Sequence, residues 1–248
     1  MFRQHELVPS EAMGRRMHMW RYGHFGDPVI VFPSASGMAH EWESHGMIDG
    51  LADLLEGGKL KLYCVESNVA EAWTRRENHP AWRISRHQAF EKYIVTELLP
   101  MIRVDCGSQR IRIGAMGTSL GAFYSANFAL KYPQIFHWAL CLSGRYDVSW
   151  LTDGLQNDDV YFNNPMSYVP NLTGEALERV RKNTHLVLVC GQGKWEDGNV
   201  DETAAFAKLL ASKGISHQRD IWGRDVSHEW VWWRRQARFH LERALGSV

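Results

Sequence analysis

Apolar residues fall along the chain in two alternating rhythms: short β-branched runs, and longer stretches in which apolar positions return every three or four residues. Residues 5–8 and 15–22 predict an N-terminal antiparallel pair. Pro28-Val29-Ile30-Val31-Phe32 is apolar throughout, as a strand covered on both faces must be, and a Ser/Gly-rich loop follows it. Ile48 to Leu55 has helical spacing and stops at Gly57-Gly58; Leu60 to Val65 is a further strand, and His87 to Val104 a long helix. Arg110 to Ala115 alternates as a strand and runs into Gly117-Thr118-Ser119-Leu120-Gly121, after which a helix extends to Tyr132 and ends at Pro133. Strands are predicted at 135–142, 185–190 and 216–222, with helices at 200–213 and 228–244.

Strand–helix alternation of this kind predicts an α/β fold with a mostly parallel central sheet and helices on both faces. Residues 144–180 have weak periodicity and two prolines, Pro165 and Pro170. They are expected to form an excursion above the sheet, over the active site, rather than a separate lid domain. No repeat or Pro/Gly/Ser linker divides the sequence, so a single domain over 1–248 is expected.

Charge narrows the classes of partner. Lys plus Arg equals Asp plus Glu at 28 each, so the formal charge is zero and the chain lacks the basic excess that a nucleic-acid backbone or an anionic membrane would need. No segment has the apolar length of a membrane span, and the N-terminal MFRQHELVPSEAMGRRM lacks a signal-peptide core, which makes cytoplasmic residence the default. Cys64, Cys106, Cys141 and Cys190 are isolated from one another, without metal-ligand spacing. Neither a metal nor a cofactor is expected, and homo-oligomerisation is left open.

The chemistry concentrates at Gly117-x-Ser119-x-Gly121. The pattern is short, but a strand enters it and a helix leaves it, the order a nucleophile elbow requires. Such a turn brings the residues two before and two after the nucleophile together, so only small side chains fit. Ala122, Ser125, Ala126 and Ala129 give the following helix a narrow face for close packing, and its N-terminus brings N–H groups and the positive dipole end beside Ser119. The alternative is a Gly-rich turn that binds a phosphate.

A serine hydroxyl needs a base. In an α/β-hydrolase fold the histidine comes last, in a loop after the final strand. His228, at the end of Gly223-Arg224-Asp225-Val226-Ser227-His228, stands there, and His217, within the strand, is the nearest rival. The acid is expected after the strand 185–190, where Gly191-Gln192-Gly193-Lys194-Trp195-Glu196-Asp197-Gly198 offers two carboxylates. Glu196, three residues after Gly193, is preferred; Asp197 comes next, one of the two acids being read as a cap for the helix near residue 200, and Asp147 is third. The oxyanion hole needs two N–H donors. Leu120 supplies one, and Ala35 or Ser36 the other, since Pro33 has no N–H.

With elbow, terminal histidine and loop order in place, the sequence resembles the Putative esterase family of α/β-hydrolases, which includes esterase D, feruloyl esterases and mycolyltransferases of the antigen 85 group. The resemblance runs over most of the chain. It is clearest in Ile113 to Ala122, Ala207 to Ile215, and His228-Glu229-Trp230 with Trp233. It implies a Ser-His-acid hydrolase or acyl transferase acting on a small-molecule ester, without metal or separate lid domain. Thr118, Leu120 and Ala122 depart from the G-H-S-M-G-G elbow of S-formylglutathione hydrolases, and Pro33-Ser34-Ala35-Ser36-Gly37 replaces a His-Gly oxyanion run. Ester hydrolysis through an acyl-enzyme is the leading expectation. Acyl transfer by the same residues, or an idle binding protein that retains the fold, are the alternatives. Of eleven tryptophans, Trp73, Trp82, Trp150 and Trp195 are expected to line a pocket above Ser119, and Trp230 and Trp233 to serve helix packing.

Overall fold

The computed structural model describes residues 1–245. Among these, eight strands form one sheet: β1 (Arg3–Ser10), β2 (Arg15–Tyr22), β3 (Asp27–Phe32), β4 (Leu60–Val65), β5 (Ile113–Thr118), β6 (Phe136–Leu142), β7 (His185–Cys190) and β8 (His217–Ile221). Their spatial order is β1-β2-β4-β3-β5-β6-β7-β8; the β1/β2 and β2/β4 pairs are antiparallel and the rest parallel. The fold is the expected α/β arrangement. Central β3, β4 and β5 are buried almost end to end, whereas the edge strands β1 and β8 carry polar, half-exposed residues, which explains why only the central strands read as unbroken apolar runs.

Alternate residues of each central strand feed opposite cores. Ile30 and Phe32 pack with Tyr63, Ala115, Phe123 and Phe128 on one face. Val29 and Val31 pack with Leu62, Met116, Trp233 and Leu241 on the other.

The helices depart from the pattern in three places. The expected helix 48–55 is two short turns, Met47–Gly50 and Ala52–Glu56, broken at Leu51, with a further turn, Glu41–Ser44, before them. The long helix starts at Pro80, not His87: His79 caps it, accepting from Ala81 N at 3.2 Å, with Pro80 at the first helical position. It runs as Pro80–Lys92, widens into a π-helical segment at Tyr93–Leu98, and resumes as Leu99–Asp105. Pro100 supplies no N–H to the preceding turn, and the wider winding sits just where that donor is missing.

Residues 144–180 contain a helix the periodicity did not suggest, Gly174–Asn183, and several single turns. They pack against the helices Pro80–Lys92 and Leu120–Lys131. Tyr168 Oη donates to Asn127 Oδ1 at 3.2 Å, Asn163 bonds His87 and Asn127, and the buried Arg83 donates to Leu151 O at 2.8 Å. The excursion therefore covers the flank of the elbow helix rather than Ser119.

Among the described residues, no helix is long and apolar enough to cross a membrane, and no group of three or more His, Cys, Asp or Glu is placed to hold a metal ion.

Candidate active site

β5 delivers the chain into a sharp turn at Ser119, whose φ of 56° and ψ of −121° lie in a region that residues with a Cβ rarely occupy. Two backbone contacts account for the glycines around it. A Cβ on Gly117 would lie 2.2 Å from the Gly121 carbonyl, and one on Gly121 would lie 2.3 Å from Phe32 O. Ser119 N donates to Leu142 O at 2.8 Å, tying the elbow to β6. The helix Leu120–Lys131 leaves the turn at once, so the Leu120 N–H belongs to its unsatisfied first turn.

His228 and Glu196 meet because two loops are pressed together. A Cβ on Gly191 would stand 2.1 Å from Val226 O, Gly193 N donates to that same oxygen at 2.8 Å, and His228 N donates to Lys194 O at 3.0 Å. The loops after β7 and β8 thus run side by side, and their spacing depends on Gly191 lacking a side chain.

The structure brings three expected residues into line. His228 Nε2 is 3.1 Å from Ser119 Oγ, and His228 Nδ1 is 3.1 Å from Glu196 Oε2. An ionised carboxylate only accepts, so the imidazole proton resides on Nδ1 and the Nε2 lone pair faces Ser119. Glu196 is 1% exposed. Ser143 Oγ donates to its Oε1 at 2.5 Å, Asn199 Nδ2 to Oε2 at 3.0 Å, and the Cys190 thiol to Oε2 at 3.4 Å. Burial alone would raise the Glu196 pKa, but hydrogen bonds from His228, Ser143 and Asn199 outweigh it and hold the carboxyl below its ordinary value.

The other candidates lie elsewhere. Asp197 is exposed, and the helix Asn199–Ser212 begins at Gly198 with no side-chain cap, so neither acid has the capping role. Asp147 accepts from Ser149 N and Asn164 Nδ2. His217 Nδ1 bonds Ile215 O.

A cavity of about 620 Å³ opens over Ser119, lined by Ser34, Ala35, His228, Glu229 and the first turn of the helix Trp230–Leu245. Ala35 lines it, while Ser36 is exposed outside the lining. Glu41 fixes this loop, accepting from Ser34 N and Ser34 Oγ at 2.7 Å each, and burial raises its pKa. None of Trp73, Trp82, Trp150 and Trp195 lines the cavity. Trp73 is buried with its N–H on Tyr124 Oη, and the other three are exposed. The aromatic wall is instead Trp230, stacked on His45 at 4.5 Å, and Trp233, edge-on to His228 at 4.7 Å.

Residues that the sequence did not single out are Ser143, Asn199 and Glu41. Each is a polar residue at a strand or helix end, where a turn explains its presence equally well.

Comparison with known proteins adds the lineage. Residues 10–242 match the model of the family described as Putative esterase. No curated protein matches the chain in sequence. A ferulic acid esterase superposes with a TM-score of 0.76 at 15% identity, over 99% of this chain and 97% of that one. MPT51 of Mycobacterium tuberculosis gives 0.75 at 14% identity over 100% and 99%. An S-formylglutathione hydrolase from Agrobacterium tumefaciens gives 0.74 at 14% over 98% and 94%. At these identities the likeness establishes the shared fold.

Proposed function

The chain belongs to the Putative esterase family, and from that premise we propose that it hydrolyses carboxylic esters through Ser119, His228 and Glu196 by way of an acyl-enzyme. The observation that carries this reading is the single imidazole spanning Ser119 Oγ and Glu196 Oε2 at 3.1 Å on either side.

Ser119 Oγ attacks the ester carbonyl carbon while His228 Nε2 takes its proton. The carbonyl π pair moves to oxygen, and the oxyanion is received by the N–H groups of Leu120 and Ala35, the first at a helix N-terminus and the second on the cavity wall. Collapse of the adduct breaks the bond to the alkoxy oxygen, which leaves as the alcohol with the proton from Nε2. Water then attacks the acyl-enzyme, giving its proton to Nε2, and the second collapse frees the acid and returns the proton to Ser119. Glu196 stays ionised throughout and stabilises the imidazolium.

The cavity volume suits a small ester, and Trp230 and Trp233 favour apolar or aromatic groups beside the scissile bond. A fluorophosphonate probe should label the wild type and not Ser119→Ala. That variant should lose on the order of 10⁴-fold or more in kcat on p-nitrophenyl esters of graded chain length. Labelling or turnover that survives in purified, folded Ser119→Ala would transfer the nucleophile elsewhere.

A further inference from the structure

Ser143 follows directly on β6 and is fully buried. Its φ of 52° puts it in the left-handed region, where a Cβ is crowded and glycine is favoured. Its N–H is held by Val189 O at 2.7 Å, which ties the start of the turn to β7. Glycine would relieve the strain, and what serine adds over glycine is a hydroxyl.

That hydroxyl sits in a directed chain. It accepts from Trp233 Nε1 at 2.9 Å and donates to Glu196 Oε1 at 2.5 Å. An indole N–H can only donate and an ionised carboxylate can only accept, so the Ser143 proton has one direction in which to point. Links polarised in the same sense strengthen one another away from water. Trp233 bears on the site a second time, since its ring meets the His228 imidazole at 85°. One indole therefore packs on the base directly and bears on the acid through Ser143.

We propose that Ser143 is a positioning residue for ester hydrolysis: polarised by Trp233, its hydroxyl pins Glu196 Oε1 and so keeps Oε2 facing His228 Nδ1. This rests on the reading of Ser119, His228 and Glu196 as the reacting set. Ser143 is not part of the cavity lining, so its effect belongs in kcat and not in substrate binding. Without it, the Trp233 N–H and one carboxylate oxygen lose a buried partner, and Glu196 gains freedom to rotate away from the imidazole.

The test is Ser143→Ala made in the wild type and again in Glu196→Gln. In the wild type it should lower kcat about tenfold to a hundredfold, the factor expected for a lost hydrogen bond to a charged group, with KM within about twofold. In Glu196→Gln it should cost less than about threefold, because both changes act through one carboxylate. Ser143→Gly guards against misfolding: it removes the same hydroxyl while relaxing the left-handed backbone, and should lose kcat to the same degree while melting cooperatively. Trp233→Phe removes the N–H together with part of the ring that meets His228, so only the share of its loss that passes through Ser143 should vanish in the Ser143→Ala background. A kcat within twofold of wild type in folded Ser143→Ala or Ser143→Gly overturns the proposal, as does a full additional loss in the Glu196→Gln background. An active Glu196→Gln enzyme would instead overturn the assignment of the acid, and this role with it.

Discussion

Glu196 and Asp197 are neighbours in sequence, yet one carboxylate is buried against His228 and the other faces solvent. Glu196→Gln keeps the shape and removes the charge opposite the imidazolium; in the serine-protease triad the matching change costs about four orders of magnitude in kcat, and a loss of that order is expected here. Asp197→Asn should leave kcat unchanged and alter stability by no more than about 0.5 kcal/mol, as at other exposed positions. Steady-state kinetics and a melting curve on both variants check the pair; an inactive Asp197→Asn would show the loop to be read one residue out of register. The same carboxylate carries a stability signature. Its folded pKa lies below the ordinary value, so its contribution is complete above the usual glutamate range and is lost as pH falls through the lower folded value. Glu196→Gln should flatten that acid limb. The frame of Ser119 was legible because Gly117 answers a contact inside the elbow itself, and Gly121, although its close neighbour is the distant Phe32 O, holds a fixed place in the same short pattern. The choice between residues 196 and 197 was not, because it is made by Val226 and Lys194 across two loops.

At the scale of elements, the strands were read where they lie, the partly exposed β2 and β8 as closely as the buried β3 and β4, whereas the buried β5 begins at Ile113 and not Arg110 and runs on into the elbow to Thr118. The helix from Pro80 was read seven residues short, although its start signal, His79 followed by Pro80, is present in the sequence. Its Arg83 and His87 are polar residues that turn inward, so the apolar rhythm is silent there. His87 shows what that burial does. It lies among Trp73, Phe123 and Tyr124, with Nε2 3.1 Å from Asn163 Oδ1 and Nδ1 unpaired. Burial lowers its pKa from 6.5 to about 4, with Lys131 adding to the effect and Glu91 opposing it. Below 6.5 the unfolded chain takes up a proton that the folded protein refuses until about 4, so stability must fall as pH drops across that window, by up to on the order of 3 kcal/mol. His87→Gln should be less stable at neutral pH but show a clearly shallower decline over the window, read from urea midpoints. An unchanged slope would assign the acid sensitivity to other groups.

Across the whole molecule, the residues of the proposed site come from strands that lie side by side. The loops after β3, β5, β6, β7 and β8 carry Ala35, Ser119, Ser143, Glu196 and His228, and these five strands are consecutive in the sheet. Strand–helix alternation makes that gathering foreseeable, since parallel strands all end on one edge. The placing of 144–180 was not foreseeable. Weak periodicity says that a segment is irregular, not which face it covers, and its position is set by buried polar partners on two distant helices: Arg83, His87 and Asn127. This distinction has a kinetic consequence. An element that closes over a serine in water and opens at a lipid surface gives a rate that jumps once the ester passes its solubility limit. Here the walls of the Ser119 cavity come from the loop after β3, the elbow, and His228 with Glu229 and the first turn of the C-terminal helix, with no residue from 144–180. That segment is also fastened by bonds from buried side chains, so swinging it out would strip His87 of Asn163 and leave Arg83 with Trp73 O in place of Leu151 O and Asp153. Hydrolysis of a short-chain triglyceride should therefore follow a hyperbola in dissolved substrate and stay level as emulsion forms, in a titration of released acid. A sharp rise at the solubility limit would mean that some element does close over Ser119, and Trp230 and Val231, at the mouth of the cavity, would be the first positions to probe for movement.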